Sequence, residues 1–194
     1  MALLHSSHSE LGSVAPHFTL SGVDGNVYSL DSFKDQKGLL VVFMCNHCPY
    51  VIAVHSRLSD LAREFAPQGI AVIGINSNDP AYKEADSFEN MKKTASLWQL
   101  PFPYVFDETQ AVARAYDAVC TPDPYLYKNE GGKFILRYRG RIDDSWQDAS
   151  RVKERSLHLA MQSLLRGSPI SEESIPSMGC SIKWKPNGVG PGNS

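Results

Sequence analysis

Two stretches of the chain are apolar almost without interruption, and a stripe of apolar residues at helical spacing lies between them. Leu39-Leu40-Val41-Val42-Phe43 and Ile70-Ala71-Val72-Ile73-Gly74-Ile75 are apolar on both faces, the pattern of strands covered on both sides. Val51, Val54, Leu58, Leu61 and Phe65 recur at steps of three and four, one face of a helix that Pro67-Gln68-Gly69 ends. Residues 39–75 therefore spell strand, helix, strand, and a parallel pair with a crossover helix is the predicted arrangement. Before it, His17–Leu20 and Asn26–Leu30 flank Asp24-Gly25, which predicts a hairpin.

The pattern continues past a polar loop at Asn76–Pro80. Phe88, Met91, Ala95 and Trp98 share one helical face, and Pro103–Phe106 reads as extended. Asp107 is the predicted N-cap of a helix over Glu108–Tyr116. Tyr125-Leu126-Tyr127 and Phe134–Tyr138 flank Asn129-Glu130-Gly131-Gly132, an antiparallel hairpin. A last helix is predicted from Val152 to Leu165. From Gly167 onward 15 of 28 residues are Gly, Pro or Ser, which predicts a loop-like tail. Yet Cys180, Ile182, Lys183 and Trp184 form a compact apolar and basic group there, and alternating Ile182 and Trp184 suit a docked segment rather than a free one. The expected division is a leader over 1–11, one domain over 12–166 and a tail over 167–194.

Composition narrows the classes. The 194 residues carry 19 Lys and Arg against 21 Asp and Glu, a net charge of −2, with none of the basic excess of a nucleic-acid binder. The longest apolar run, Leu39 to Cys45, is far short of the ~18 residues of a membrane helix. The start, Met1-Ala2-Leu3-Leu4-His5-Ser6, lacks the basic residues of a secretory signal, so a complete chain is expected to stay in the cytoplasm. Arg137, Arg139 and Arg141 alternate, which predicts three Arg on one solvated sheet face.

Chemistry enters with the cysteines. Four are far too few for a disulfide scaffold. Cys45 and Cys48 form a C-x-x-C at the predicted strand-to-helix junction. The first amides of a helix lack partners and carry the positive end of its dipole, so a thiolate there is stabilised. A second thiol three residues away can resolve a mixed disulfide and leave as an intramolecular one. His47 lies between the two and, when protonated, would favour the thiolate further. Zinc would need two more ligands, and Cys120 and Cys180 are single, so no metal or other cofactor is expected.

Three motifs then resemble one superfamily. Ala15-Pro16-His17-Phe18-Thr19-Leu20, Asp24-Gly25 and Tyr28-Ser29-Leu30 resemble the A-P-x-F-x-L…D-G…S-L opening of the TlpA/ResA and AhpC/TSA branch of thioredoxin-fold proteins. Cys45-Asn46-His47-Cys48-Pro49 falls where that branch carries its redox centre. Thr121-Pro122, with Tyr125-Leu126-Tyr127 and Gly131-Gly132-Lys133-Phe134, is similar to its T-P-x-x-x-(I/L)…G-K segment. The resemblance covers residues 12–166. It implies an α/β thioredoxin-like fold: a central mixed sheet flanked by helices, with an N-terminal hairpin and a C-terminal tail. It further implies that Thr121–Pro122 is cis and faces the pair, presenting backbone to a substrate.

The resemblance implies a thiol–disulfide oxidoreductase. Cys45 attacks, Cys48 resolves and His47 makes the couple more oxidising. The partners are a disulfide-containing protein or small thiol and a reductant or oxidant. Departures keep alternatives open. A peroxiredoxin-like peroxidase would use Cys48, whose Cys48-Pro49 matches, but Val41 and Cys45 stand where P-x-x-x-T-x-x-C has Pro and Thr, and no Arg lies near Cys120–Asp123. Met44 replaces the Trp of thioredoxins. The copper chaperones of this fold need a distant His, and none lies between His55 and His158. The last alternative is a binding module with an idle pair. Cys120, beside Thr121, and Cys180 are expected as buried thiols or as a redox relay. Pro49 as the first helical residue would put Cys48, rather than Cys45, nearest the helix dipole.

Overall fold

A computed structural model describes residues 3–6, 10–171 and 174–186. The remaining positions of the expected leader and tail lie outside the described residues. The strands are β1 (Leu3–His5), β2 (Thr19–Gly22), β3 (Val27–Ser29), β4 (Gly38–Phe43), β5 (Ile70–Asn76), β6 (Tyr104–Phe106), β7 (Cys120–Thr121), β8 (Asp123–Glu130), β9 (Lys133–Arg139) and β10 (Met178–Ser181). The helices are α1 (Pro49–Phe65), α2 (Phe88–Leu97), α3 (Ala111–Ala115) and α4 (Ser156–Arg166).

Seven strands form one mixed sheet in the order β3-β2-β6-β5-β4-β8-β9. β4, β5 and β6 run parallel, and β2 and β8 pair antiparallel on either side of them. Alternation along β4 explains the layers. Leu40 and Val42 pack with Val51, Val54 and Leu58 of α1, Met91 of α2, and Leu157 and Met161 of α4. Leu39, Val41 and Phe43 face the other way, against Val112, Ala113 and Tyr116 in and after α3. All of β4 is buried. This is the thioredoxin-like architecture, with helices on both faces of a mixed sheet. Among the described residues no helix is long and apolar enough to cross a membrane.

Local chemistry moves three expected elements. Asp148 and Asp144 accept backbone bonds from Ser150 and Lys153, so the chain before Arg155 turns instead of coiling and the last helix starts at Ser156, not Val152. Gln110 takes a left-handed conformation (φ 61°), which shortens the third helix to Ala111–Ala115. Asp107 still serves that helix, accepting from the amides of Val112 and Ala113 across the turn. The alternating arginines do not share a solvated face. A register shift between Leu126 and Tyr127 sets Arg139 opposite Tyr125, where it is buried and paired with Asp123 at 2.7 Å.

A second, three-stranded sheet has the order β1-β10-β7. It joins a strand from residues 1–11, a strand from residues 167–194 and the two residues before Pro122. Cys180 stands opposite both Leu3 and Thr121. Ser177 is fixed on both sides, by Ser6 and by the Pro122 carbonyl. Ile182 and Lys183 are buried, and Gln110 bonds the Lys183 carbonyl. The segment around Cys180 is thus docked on the domain.

Candidate redox site

Met44 continues the path of β4, its amide bonding the Ile75 carbonyl, and Cys45 and Cys48 follow with no exposed surface. Pro49 is the first residue of α1, where its missing amide hydrogen costs nothing, and Cys48 is the N-cap. The peptide Thr121–Pro122 is cis. Thr121 touches both sulfurs: its hydroxyl lies 3.3 Å from Cys45 Sγ, and its carbonyl accepts from the Cys48 thiol at 3.2 Å. Cys45, Cys48, Thr121 and Pro122 are therefore one cluster. All four cysteines are free thiols.

The two thiols of the pair are not equivalent. Hydrogen bonding from the Cys45 thiol, opposed by burial and joined by the Cys180 thiol and the Val51 amide, draws the Cys48 thiol well below the ordinary cysteine range. The bond to the Thr121 carbonyl exists only while Cys48 is protonated. Burial pushes the Cys45 thiol up, and the bond it gives to Cys48 and the charge of Asp86 push it further. The helix begins after the second cysteine, so the helix N-terminal position expected for Cys45 belongs to Cys48.

Asp86 was not singled out by the sequence, yet it organises the loop between the cysteines. It is fully buried, accepts the Asn46 amide at 2.8 Å and the Asn78 side chain at 2.8 Å, and lies 2.6 Å from His47 Nδ1. Asn46 also bonds the Ala85 carbonyl and accepts from Tyr104. His47 is thus held against a carboxylate. Nothing marks Asp86 in the sequence, since it lies in a polar loop 39 residues from His47 and only the fold joins them. Cys45, His47 and Asp86 bring one ligand atom each within 4.8 Å of one another. The Asp86 oxygens are already committed to three partners.

Cys120 and Cys180 occupy neighbouring strands. Burial pushes Cys120 far up, and Asp123 adds to it, so it stays a thiol. Cys180 is also held up, by burial and by the bond its thiol makes to Cys48. A groove of ≈ 260 Å³ runs beside Pro122, lined by Tyr50, Val54, Trp146, Ile175 and Met178 among others. The Tyr50 and Trp146 rings pack at 4.1 Å. Tyr50 and Val54 bring the start of α1 into this groove.

The site and sheet define a thioredoxin-fold protein with a dithiol at the head of its first long helix. The AhpC/TSA family pattern matches residues 11–144, and the chain belongs to the AhpC/TSA family. Among curated relatives it is 26% identical to the thiol-disulfide oxidoreductase ResA of Geobacillus thermodenitrificans, over 62% of this chain and 65% of that protein. It is 30% identical to the chloroplastic peroxiredoxin Q of Triticum aestivum, over 54% of this chain and 45% of that protein. The chain thus matches between about half and two thirds of these relatives' length. A crystal structure of an uncharacterized conserved protein from Geobacillus kaustophilus superposes with TM-score 0.91 at 44% identity, covering 97% of this chain and 99% of that one. The thioredoxin domain of a thiol-disulfide oxidoreductase from Bacteroides vulgatus superposes with TM-score 0.55 at 24% identity, over 69% of this chain and 91% of that one, a likeness of fold.

Proposed function

We propose that the protein is a thiol–disulfide oxidoreductase enzyme in which Cys48 attacks a disulfide of a protein or small-molecule substrate and Cys45 completes the exchange. The observation that carries this reading is the place of Cys48 as the N-cap of α1, ahead of Pro49, with its sulfur against the Thr121 carbonyl. A thiolate is the attacking species in disulfide exchange, and its fraction at neutral pH sets how often attack succeeds. Cys48 bonds one substrate sulfur and expels the other. Cys45, kept protonated by burial, gives up its proton to the departing thiolate and closes the Cys45–Cys48 bond. A separate reductant or oxidant resets the pair.

Thr121 and Pro122 guide the substrate, since the Thr121 carbonyl and hydroxyl already contact both sulfurs. His47 is a hydrogen-bond partner of Asp86, whose charge helps hold Cys45 up. Incubation with oxidised glutathione tests the reading. The Cys45→Ala/Cys180→Ser variant should accumulate glutathione on Cys48, and Cys48→Ala should accumulate none on Cys45. A reversed result returns the attack to Cys45, and a chain that forms no reversible disulfide is an idle binding module.

The same lowered thiolate supports a second reading, a peroxidase acting through Cys48. Stoichiometric consumption of hydrogen peroxide with sulfenic acid trapped at Cys48 would favour it over disulfide exchange.

A further inference from the structure

Thr121 joins three cysteines. It bonds Cys45 and Cys48 through its side chain and carbonyl, and it is the register partner of Cys180 on β10. The Cys180 thiol in turn hydrogen-bonds the Cys48 sulfur, and its backbone contributes to the same thiolate. Cys48 therefore has two thiol neighbours, Cys45 on its own loop and Cys180 on a strand from the far end of the chain.

That placement is over-determined. A Cβ on Gly179 would stand 1.9 Å from the Thr121 carbonyl oxygen, so only glycine lets β10 lie this close. On one side of Cys180, Ser177 bonds the Pro122 carbonyl. On the other, the Ile182 amide bonds the Val119 carbonyl, and the Lys183 amide bonds Asn78. Cys45 and Cys48 have no exposed surface, and Cys180 belongs to the same buried cluster.

We propose that Cys180 is a second resolving thiol for Cys48, closing a Cys48–Cys180 disulfide that ties β10 to the head of α1. The inference rests on the exchange chemistry proposed for Cys48. Cys48 thiolate first attacks a substrate disulfide and expels one substrate thiolate. Cys180 sulfur then attacks Cys48 Sγ, the bond from Cys48 to the second substrate sulfur breaks, and that sulfur leaves with the proton Cys180 gives up. The substrate disulfide gains two electrons, and Cys48 and Cys180 lose two between them. The product strand is covalently fixed over the site, so the oxidised protein holds β10 shut until a reductant opens it.

The experiment uses full-length protein and oxidised glutathione. In Cys45→Ser, Cys48 should lose its glutathione adduct and release two equivalents of reduced glutathione per chain. Peptide mapping should show Cys48 joined to Cys180. In Cys45→Ser/Cys180→Ser the adduct should persist, with one equivalent released. An adduct that persists equally in both variants overturns the inference. Mapping the partially oxidised wild type guards against misfolded variants. It should contain the Cys48–Cys180 peptide beside the Cys45–Cys48 peptide, and finding only the latter would overturn the Cys180 role while leaving the proposed exchange intact. Absence of both would remove the exchange reading itself.

Discussion

In the seven-stranded sheet each central strand carries its own reason to be buried. β4 is apolar at every position after Gly38, and both of its faces find helices. The three-stranded sheet has no such strand. β1 has three residues, β10 four and β7 two, each too short to carry a burial period of its own. Its stability comes from pairings between residues more than fifty positions apart, such as Cys180 with Leu3 and with Thr121, and from side chains that seal its ends. A large sheet can be specified by repeated local pattern, whereas a small one beside the buried dithiol is specified by a few long-range fits.

The largest expected effect breaks the seven-stranded sheet at a buried ion pair. Arg139 and Asp123 are 2.7 Å apart and essentially unexposed. Arg139→Met leaves the Asp123 charge without its partner and should cost about 3–5 kcal/mol in denaturant unfolding. Burial already raises Asp123, against the pull of Arg139. Without Arg139 it rises further, so the folded state binds the proton more tightly than the unfolded state. Stability then falls as pH rises, and the deficit should shrink as pH is lowered toward the carboxylate range.

Breaking the small sheet should leave the large one standing. Gly179→Val puts a side chain where the Thr121 carbonyl lies and should lift β10. Alkylation of Cys48 should accelerate by about tenfold, the factor that ~1.4 kcal/mol of lost docking brings. Far-ultraviolet circular dichroism should change little, and a global loss of structure would show that the two sheets are not separable.

A smaller effect sharpens the contrast inside the site. Asp86→Asn keeps the shape of the side chain but removes the charge that helps hold Cys45 up. The pH midpoint of Cys45 alkylation should fall while that of Cys48 stays in place. An unmoved Cys45 would mean that burial alone sets its reactivity.

The large sheet and α1 were legible because burial writes a period into the sequence. Val51, Val54, Leu58, Leu61 and Phe65 line the buried side of one helix. The motifs also marked Cys45, Cys48, Thr121 and Pro122, which the fold brings together. Asp86 was illegible because its partners lie at 46, 47 and 78, and no local spacing joins them. The burial of Arg139 was illegible for another reason: one register shift in β9 breaks the period of two on which the reading relied. Gly179 and Cys180 reside in a segment whose composition reads as tail, and only the pairing with Thr121 gives them a place.

The central claim is that the second cysteine of the pair, at the head of α1, is the attacking thiolate. Alkylation of the native reduced protein by iodoacetamide across the pH range, resolved by peptide mass spectrometry, tests it directly. An ordinary cysteine titrates near ~8.5. Cys48 should remain reactive well below that value, with its rate falling only at acid pH, and Cys45 should become reactive only above it. A Cys45 that labels first and titrates in the lower range, with Cys48 in the upper, would contradict the account.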